Sequence, residues 1–180
     1  KSGFSSYSFN VDVCAPGTAI LSTVFNDNYT SYSGTSMASP IAAGGVALIR
    51  SRFPQMNALQ AAEQLRITCD NIYNVTSNSA YRDKLGKGRI NLYRALTDST
   101  SPGVTVENLA TSDGNDNVFV AGDTLRFVSL LRNLLRPTSN LTCSLSTTST
   151  NVTILSSSYT AGVIAMMDTA SNIALPYQVK

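Results

Sequence analysis

The 180-residue chain contains no histidine. That absence removes the usual base partner of a serine or cysteine nucleophile. Charge is also scarce, at 13% of residues against about a quarter in an average soluble domain. The net charge of +2 is too small to suggest nucleic acid or an anionic membrane surface as a partner. No apolar run approaches the roughly 18 residues of a spanning helix, so a soluble chain is expected. Cysteine is limited to Cys14, Cys69 and Cys143, an odd number that precludes a complete set of internal disulfides and whose spacing matches no metal motif. Cys14 closes the apolar "VDVCAPG" and Cys143 alternates with Leu141 and Leu145, so both read as small buried apolar residues. What is present is a 43% hydrophobic fraction, enough for a buried core, and a surface rich in Ser, Thr and Asn that suits an extracellular or cell-surface protein. The chain begins at Lys1, and nothing like a secretion signal precedes the first strand-like segment.

The two halves follow different patterns. Residues 1–98 mix strands and helices. "NVDVCAPG" and "TAILSTV" read as strands, the first stopped by Pro16-Gly17, and "FNDNYTSYSG" reads as a loop. A helix is expected from about Ser36 to Arg50. A second starts at Asn57, with Gln60 placed to complete a capping box and Leu59, Ala62 and Leu65 near helical spacing. "GKG" at 86–88 lacks the third glycine and the preceding long strand of a dinucleotide site, so it reads as a turn. A last helix begins near Asn91. "TDSTSPG" then reads as a linker. In residues 104–180, Leu125 and Phe127, then Leu141, Cys143 and Leu145, then Ile173, Leu175, Tyr177 and Val179 alternate with polar neighbours, a period of two that predicts an antiparallel β-sandwich. The chain stops inside that last alternating run, so the sandwich is expected to lack its final strand or strands.

Chemistry concentrates in "YSGTSMASPIAAGGVALI", residues 32–49. Ser36 sits where a loop becomes a helix, beside unpaired N–H groups and the positive end of the helix dipole. A developing oxyanion is stabilised in such a place, with the Ser36 N–H as one donor. Gly34 is expected to permit a sharp turn and close approach of a substrate. Pro40 is placed in the first helical turn, where its missing donor does no harm. On position alone, the ordinary role of such a serine is a helix N-cap. Gly44 and Gly45 each cost a helix about 1 kcal/mol relative to alanine, which predicts other backbone pressed against this one.

The full string resembles the nucleophile motif of the subtilisin-like proteases: "GTSMASPIAAG" carries Gly-Thr-Ser, a small residue two on and Pro four on. "FSSYSFNVDVCAPG" and "YRDKLGKGRINLYRAL" resemble the segments before the motif and at the close of that catalytic domain, in the same order. The resemblance implies a partial three-layer α/β domain over 1–98. It implies that Ser36 is the nucleophile, that Gly34 and Thr35 support it and the oxyanion hole, and that Tyr32 and Met37 flank the leaving-group side. Ile41 departs from the family, many members of which carry His there, outside the triad. In the family the triad runs Asp, His, Ser, so the first two members and the side-chain oxyanion donor are expected upstream of Lys1, together with most of the parallel sheet. The partners implied are a protein or peptide substrate and that missing N-terminal part, and the chain alone is expected to be inactive. A sedolisin-type serine-carboxyl peptidase, with Glu in place of His, and a non-catalytic adhesion or binding protein on a dead protease scaffold are the alternatives. An upstream histidine in the parent separates them.

No cofactor is implied for catalysis. In "SDGNDNVFVAGDTLRF", which resembles segments of β-sandwich modules appended to secreted bacterial enzymes, Asp113, Asn115, Asp116 and Asp123 offer oxygen ligands for structural calcium, or form a polar turn. Sequons at Asn28, Asn74, Asn140 and Asn151 are as frequent as a Ser/Thr-rich chain produces by chance.

Overall fold

The computed structural model describes residues 1–180, which divide into two compact units, Lys1–Ser99 and Thr100–Lys180. The first unit opens with an extended but largely unpaired stretch. It continues through a hairpin of β1 (Ile20–Val24) and β2 (Asn28–Tyr32) into α1 (Thr35–Arg52), α2 (Ala58–Ile67), a 3-10 turn (Thr76–Tyr81) and α3 (Leu92–Thr97). The expected loop at 25–34 is therefore half strand. Asn26 and Asp27 take positive φ, 61° and 50°, a conformation their short polar side chains tolerate, and they reverse the chain so that β2 pairs β1 antiparallel.

The expected first strand is absent as a ladder. Cys14 makes one parallel bridge with Arg89, whose other side bridges Asp70 antiparallel. The "GKG" turn makes this crossing possible. A Cβ on Gly86 would sit 2.2 Å from the Asp12 carbonyl oxygen, and one on Gly88 would sit 2.0 Å from that of Asp70. Only glycine fits there, at φ +62° and +121°.

Around this crossing Ile49, Phe53, Ala61, Leu65, Cys69, Ile90 and Ala95 form the core of the first unit. α2 begins with the expected capping box, Asn57 accepting from the Gln60 N–H at 2.9 Å and Gln60 accepting from the Asn57 N–H at 3.1 Å. Its buried face differs from expectation. Leu59 and Ala62 are exposed, whereas Gln60, Glu63 and Gln64 are buried. The polar groups go inside because each is satisfied. Gln64 donates to the Ala95 and Asp98 carbonyls, and Glu63 holds Arg66 through two contacts of 2.6 and 2.7 Å.

The "AAGG" reading also needs correction. A Cβ on Gly45 would meet side chains, Leu92 Cδ2 at 2.8 Å and Leu65 Cδ1 at 3.4 Å, and no backbone; one on Gly44 would meet nothing within 4 Å.

The second unit is all β and antiparallel. β4 (Leu125–Asn133) is central, with β3 (Val104–Ser112) on one edge. The other edge is shared by β9 (Tyr177–Val179) and β8 (Thr169–Ser171), and β6 (Ile154–Ser156) lies beyond β9. β5 (Leu141–Ser144) and β7 (Ser158–Gly162) form a separate two-stranded ladder. The alternation at Ile173 and Leu175 is not strand; both are exposed in a turn. Asn172 forces that turn. Its fully buried side chain accepts from the Ser129 N–H and donates to the Phe127 carbonyl, drawing the chain out of register. Asn133, equally buried, accepts from the Gly103 and Leu135 N–H groups and donates to the Arg136 and Ile164 carbonyls.

Two outcomes follow from the first unit. Gly44→Ala raises stability by about 0.5–1 kcal/mol, the helix-propensity gain. Gly45→Ala forfeits that gain because Leu92 has to move, an overpacking cost of about 1 kcal/mol or more. Urea unfolding of both variants measures the difference, and equal gains would show that Gly45 is not a packing position. The second outcome concerns acid. Hydrogen bonds from Asn91 and Arg89 hold the Asp70 carboxyl below its ordinary range. A carboxyl depressed in the folded state contributes stability above its unfolded pKa of about 3.9, and loses it as pH falls through the folded value. The Tm gap between the native chain and Asp70→Asn should therefore be present at pH 5 and narrow progressively below pH 4.

Candidate active site

Ser36 occupies the second position of α1, and the N-cap is Gly34, whose side chain can offer nothing. The capping role open to Ser36 from its position is therefore not the one it has. Its side chain is exposed and its hydroxyl makes no hydrogen bond. The first turn explains why it is free. Gly34 donates its N–H to the Gly17 carbonyl at 2.7 Å, and its own carbonyl accepts from Met37 at 3.1 Å and Ala38 at 3.4 Å. The Ser36 N–H has no acceptor, so hydroxyl and amide stand together at the start of an 18-residue helix with no acidic residue in its first turn.

Pro40 is deeper than expected, inside the helix beyond its first turn. Because proline has no N–H, the Ser36 carbonyl loses the donor that a regular helix would bring to it from position 40.

Within this part of the chain, the glycine pressed closely by other backbone is Gly17. Gly34 is extended (φ 163°, ψ 166°), a backbone any residue adopts, and a Cβ there would meet only Met37 Sδ, at 3.7 Å. A Cβ on Gly17, by contrast, would lie 2.8 Å from the Gly34 oxygen and 3.3 Å from the Ala38 Cβ. Gly17 is what lets the "CAPG" bend press against the first turn of α1. Ser33 completes the clamp, its Oγ accepting from the Ala19 N–H at 2.8 Å, with Ala19 held at φ +53°. Neither Gly17 nor Ser33 announces this in sequence, because both contacts join segments some fifteen positions apart.

Tyr32, at the end of β2, is half exposed, Met37 is half-buried and Thr35 is exposed. The structure thus brings Tyr32, Gly34, Thr35, Ser36 and Met37 together on one strand-to-helix turn. Lys84 lies elsewhere, over the rings of Tyr7 and Phe9, and Lys87 lines a different depression with Asp12, Arg66 and Asp83.

Burial pushes Cys69 up to about 11 and raises Cys14 as well, and all three cysteines are unpaired. Cys69 is buried, whereas Cys14 and Cys143 are only partly so. In the second unit one side-chain oxygen of each of Asp113, Asn115, Asp116 and Asp123 serves the backbone of its own loop, while Asp113 Oδ2 is buried without a partner. Asp113 accepts from the Asn115 and Asn117 N–H groups at 2.9 and 3.1 Å, Asn115 from Asp116, Asp116 from Val118, and Asp123 from Val120. Those hydrogen bonds, the one from Asn115 foremost, hold the Asp113 carboxyl low. His, Cys, Asp and Glu side chains form no group of three or more able to hold a metal ion.

The sequence was also compared with known proteins. A family model described as the subtilase family matches residues 1–122. Subtilisin DY of Bacillus licheniformis is 41% identical over 95 residues, which are 53% of this chain and 32% of that protein. Thermitase of Thermoactinomyces vulgaris is 41% identical over 96 residues, with the same shares, 53% and 32%. Alkaline elastase YaB of Bacillus sp. (strain YaB) is 35% identical over 91 residues, 51% of this chain and 22% of that protein. The chain thus spans a third or less of the length of these relatives. With the family model covering more than half of its residues, the chain belongs to the subtilase family.

Proposed function

We propose that the chain carries the nucleophile of a secreted, subtilisin-type serine endopeptidase and works only with the remainder of that protease. The observation that carries this reading is the exposed, unbonded Ser36 hydroxyl beside an unclaimed N–H at a helix start. In the reaction, Ser36 Oγ adds to the scissile carbonyl carbon while its proton passes to a base. The carbonyl oxygen becomes an oxyanion held by the Ser36 N–H and a second donor. Collapse breaks the C–N bond, the amine leaves with the proton, and water hydrolyses the acyl-enzyme by the same route reversed. Tyr32 and Met37 flank the departing amine.

The chain has no histidine, so base and orienting carboxylate come from polypeptide outside it. A serine without its base is a weak nucleophile at neutral pH, and the isolated chain is therefore inactive. Release outside the cell fits the low-charge Ser/Thr/Asn-rich surface, and no helix is long and apolar enough to cross a membrane. The second unit is read as an appended β-sandwich, a reading its antiparallel β3–β4–β9–β6 sheet and separate β5–β7 ladder support.

Intact-mass spectrometry after exposure to a fluorophosphonate tests the assignment. The 180-residue chain alone should gain no mass. The full polypeptide encoded by its gene should gain one phosphonyl group on the peptide containing Ser36, and Ser36→Ala should abolish it. Labelling of a different serine, or none in the full polypeptide, would overturn the reading.

A further inference from the structure

The connection from β3 to β4 is longer than a hairpin needs. Ser112 pairs with Arg126, yet residues 113–124 lie between the two strands, where loops of about 2–5 residues usually suffice. The extra chain is not slack. Asp113 accepts from the Asn115 and Asn117 N–H groups, Asp116 from the Val118 N–H at 3.0 Å, and Asp123 from the Val120 N–H at 2.8 Å. The Asp123 N–H returns to the Val120 carbonyl at 3.2 Å. These bonds clamp the backbone on both sides of Phe119. What the clamp holds out is apolar: Val118, Phe119 and Val120 are 61%, 50% and 63% exposed, three in succession. A contiguous exposed apolar run in a fixed conformation marks an interaction site.

We propose that the Val118–Val120 run is a docking knob for a partner protein whose surface offers an apolar cleft rimmed with lysine or arginine. From Asp113 to Asp123 the loop carries three aspartates and no basic residue, on a chain whose net charge is +2. Neither Asp116 nor Asp123 has an ion-pair partner in the chain, so their charge is uncompensated. An apolar centre with a charged rim is the anatomy of a protein interface, and the clamp meets the loop's ordering cost on folding, before any partner binds. Charge also decides between occupants. Two copies of this chain meeting loop to loop would set Asp116 and Asp123 against their own duplicates, and an anionic lipid surface would be repelled in the same way. A basic rim meets these carboxylates while Phe119 fills the cleft. The rim carboxylates then steer encounter and act on the association rate, and the seated Phe119 acts on dissociation. This reading concerns the second unit alone and does not depend on the role of Ser36.

The test pans a random dodecapeptide library displayed on phage against the full 180-residue chain, with a parallel selection against Phe119→Ala. Peptides that fold around the knob stand in for the cleft. Sequences enriched on the native chain but not on the variant should combine aliphatic residues with lysine or arginine. A synthetic peptide of the most enriched sequence should leave Phe119→Ala about tenfold faster than the native chain, the loss expected for an aromatic anchor. Asp116→Asn keeps an oxygen to accept from Val118 and removes the charge. It should slow association several-fold and flatten its salt dependence, with dissociation little changed. Phe119 and Asp116 are exposed, so both variants should keep the native urea transition, which separates lost docking from lost fold. No enrichment over the variant overturns the proposal. So do enriched sequences without basic residues, or a peptide that dissociates from Phe119→Ala as slowly as from the native chain. A dimer in sedimentation that Phe119→Ala dissolves would give the run to a second copy. Binding to phosphatidylcholine–phosphatidylserine vesicles that the same variant loses would give it to a lipid surface. Either result likewise overturns the proposal.

Discussion

One contact organises the candidate site: the hydrogen bond from the Gly34 N–H to the Gly17 carbonyl, 2.7 Å long. It joins the bend after "CAPG" to the last residue before α1, and its partners leave no freedom on either side. Gly17 has no room for a Cβ, and the Gly34 carbonyl is already committed to the Met37 and Ala38 amides. The amide of Ser36, in the first turn of α1, has nothing to bond. It is thus fixed by its neighbours and left unsatisfied by helix geometry.

Support for that contact comes from further away. The Cys14–Arg89–Asp70 crossing holds the extended stretch that ends at Gly17, and it exists because Gly86 and Gly88 allow the chain within 2.2 and 2.0 Å of where a Cβ would stand. Asp70 ties Arg89 and Asn91 together on the same crossing, at 2.9 and 2.8 Å. Beneath it, Leu65 and Leu92 pack against the bare backbone of Gly45 in α1. The position of Ser36 therefore depends on close approaches at Gly17, Gly45, Gly86 and Gly88, none of which touches Ser36 itself. The second unit follows a different principle. Two fully buried asparagines, Asn133 and Asn172, each bind backbone groups from separate segments, so irregular connections around β4 are held by side-chain amides where a regular ladder would use backbone pairs.

Much of this was legible in residue order alone. The capping box at Asn57 and Gln60 rests on neighbours three positions apart, and local backbone geometry alone makes it. The helix after Gly34, the turn at 86–88 and the change from mixed to all-β pattern near residue 100 are likewise local signals. The string around Ser36 was sufficient to mark the family, because the residue types an exposed helix-start serine needs lie within one turn of it. Failures arose where burial was inferred from apolarity alone. Gln64 is inside because Ala95 and Asp98 receive its amide, and Leu59 is outside because no neighbour covers it.

The sequence by itself thus determined the family, the nucleophile candidate and the absence of histidine, since each depends on which residues are present and on spacing along a single turn. Only the tertiary structure decided that Gly17 is pressed against the first turn of α1, that Ser36 is not a cap, and that Val13 and Ala15 form an open edge in place of a completed strand. These depend on which carbonyls and amides meet across gaps of fifteen to seventy-five positions. A strand-like pattern shows that a segment can pair, but whether each edge has a partner is settled only by what the fold brings beside it.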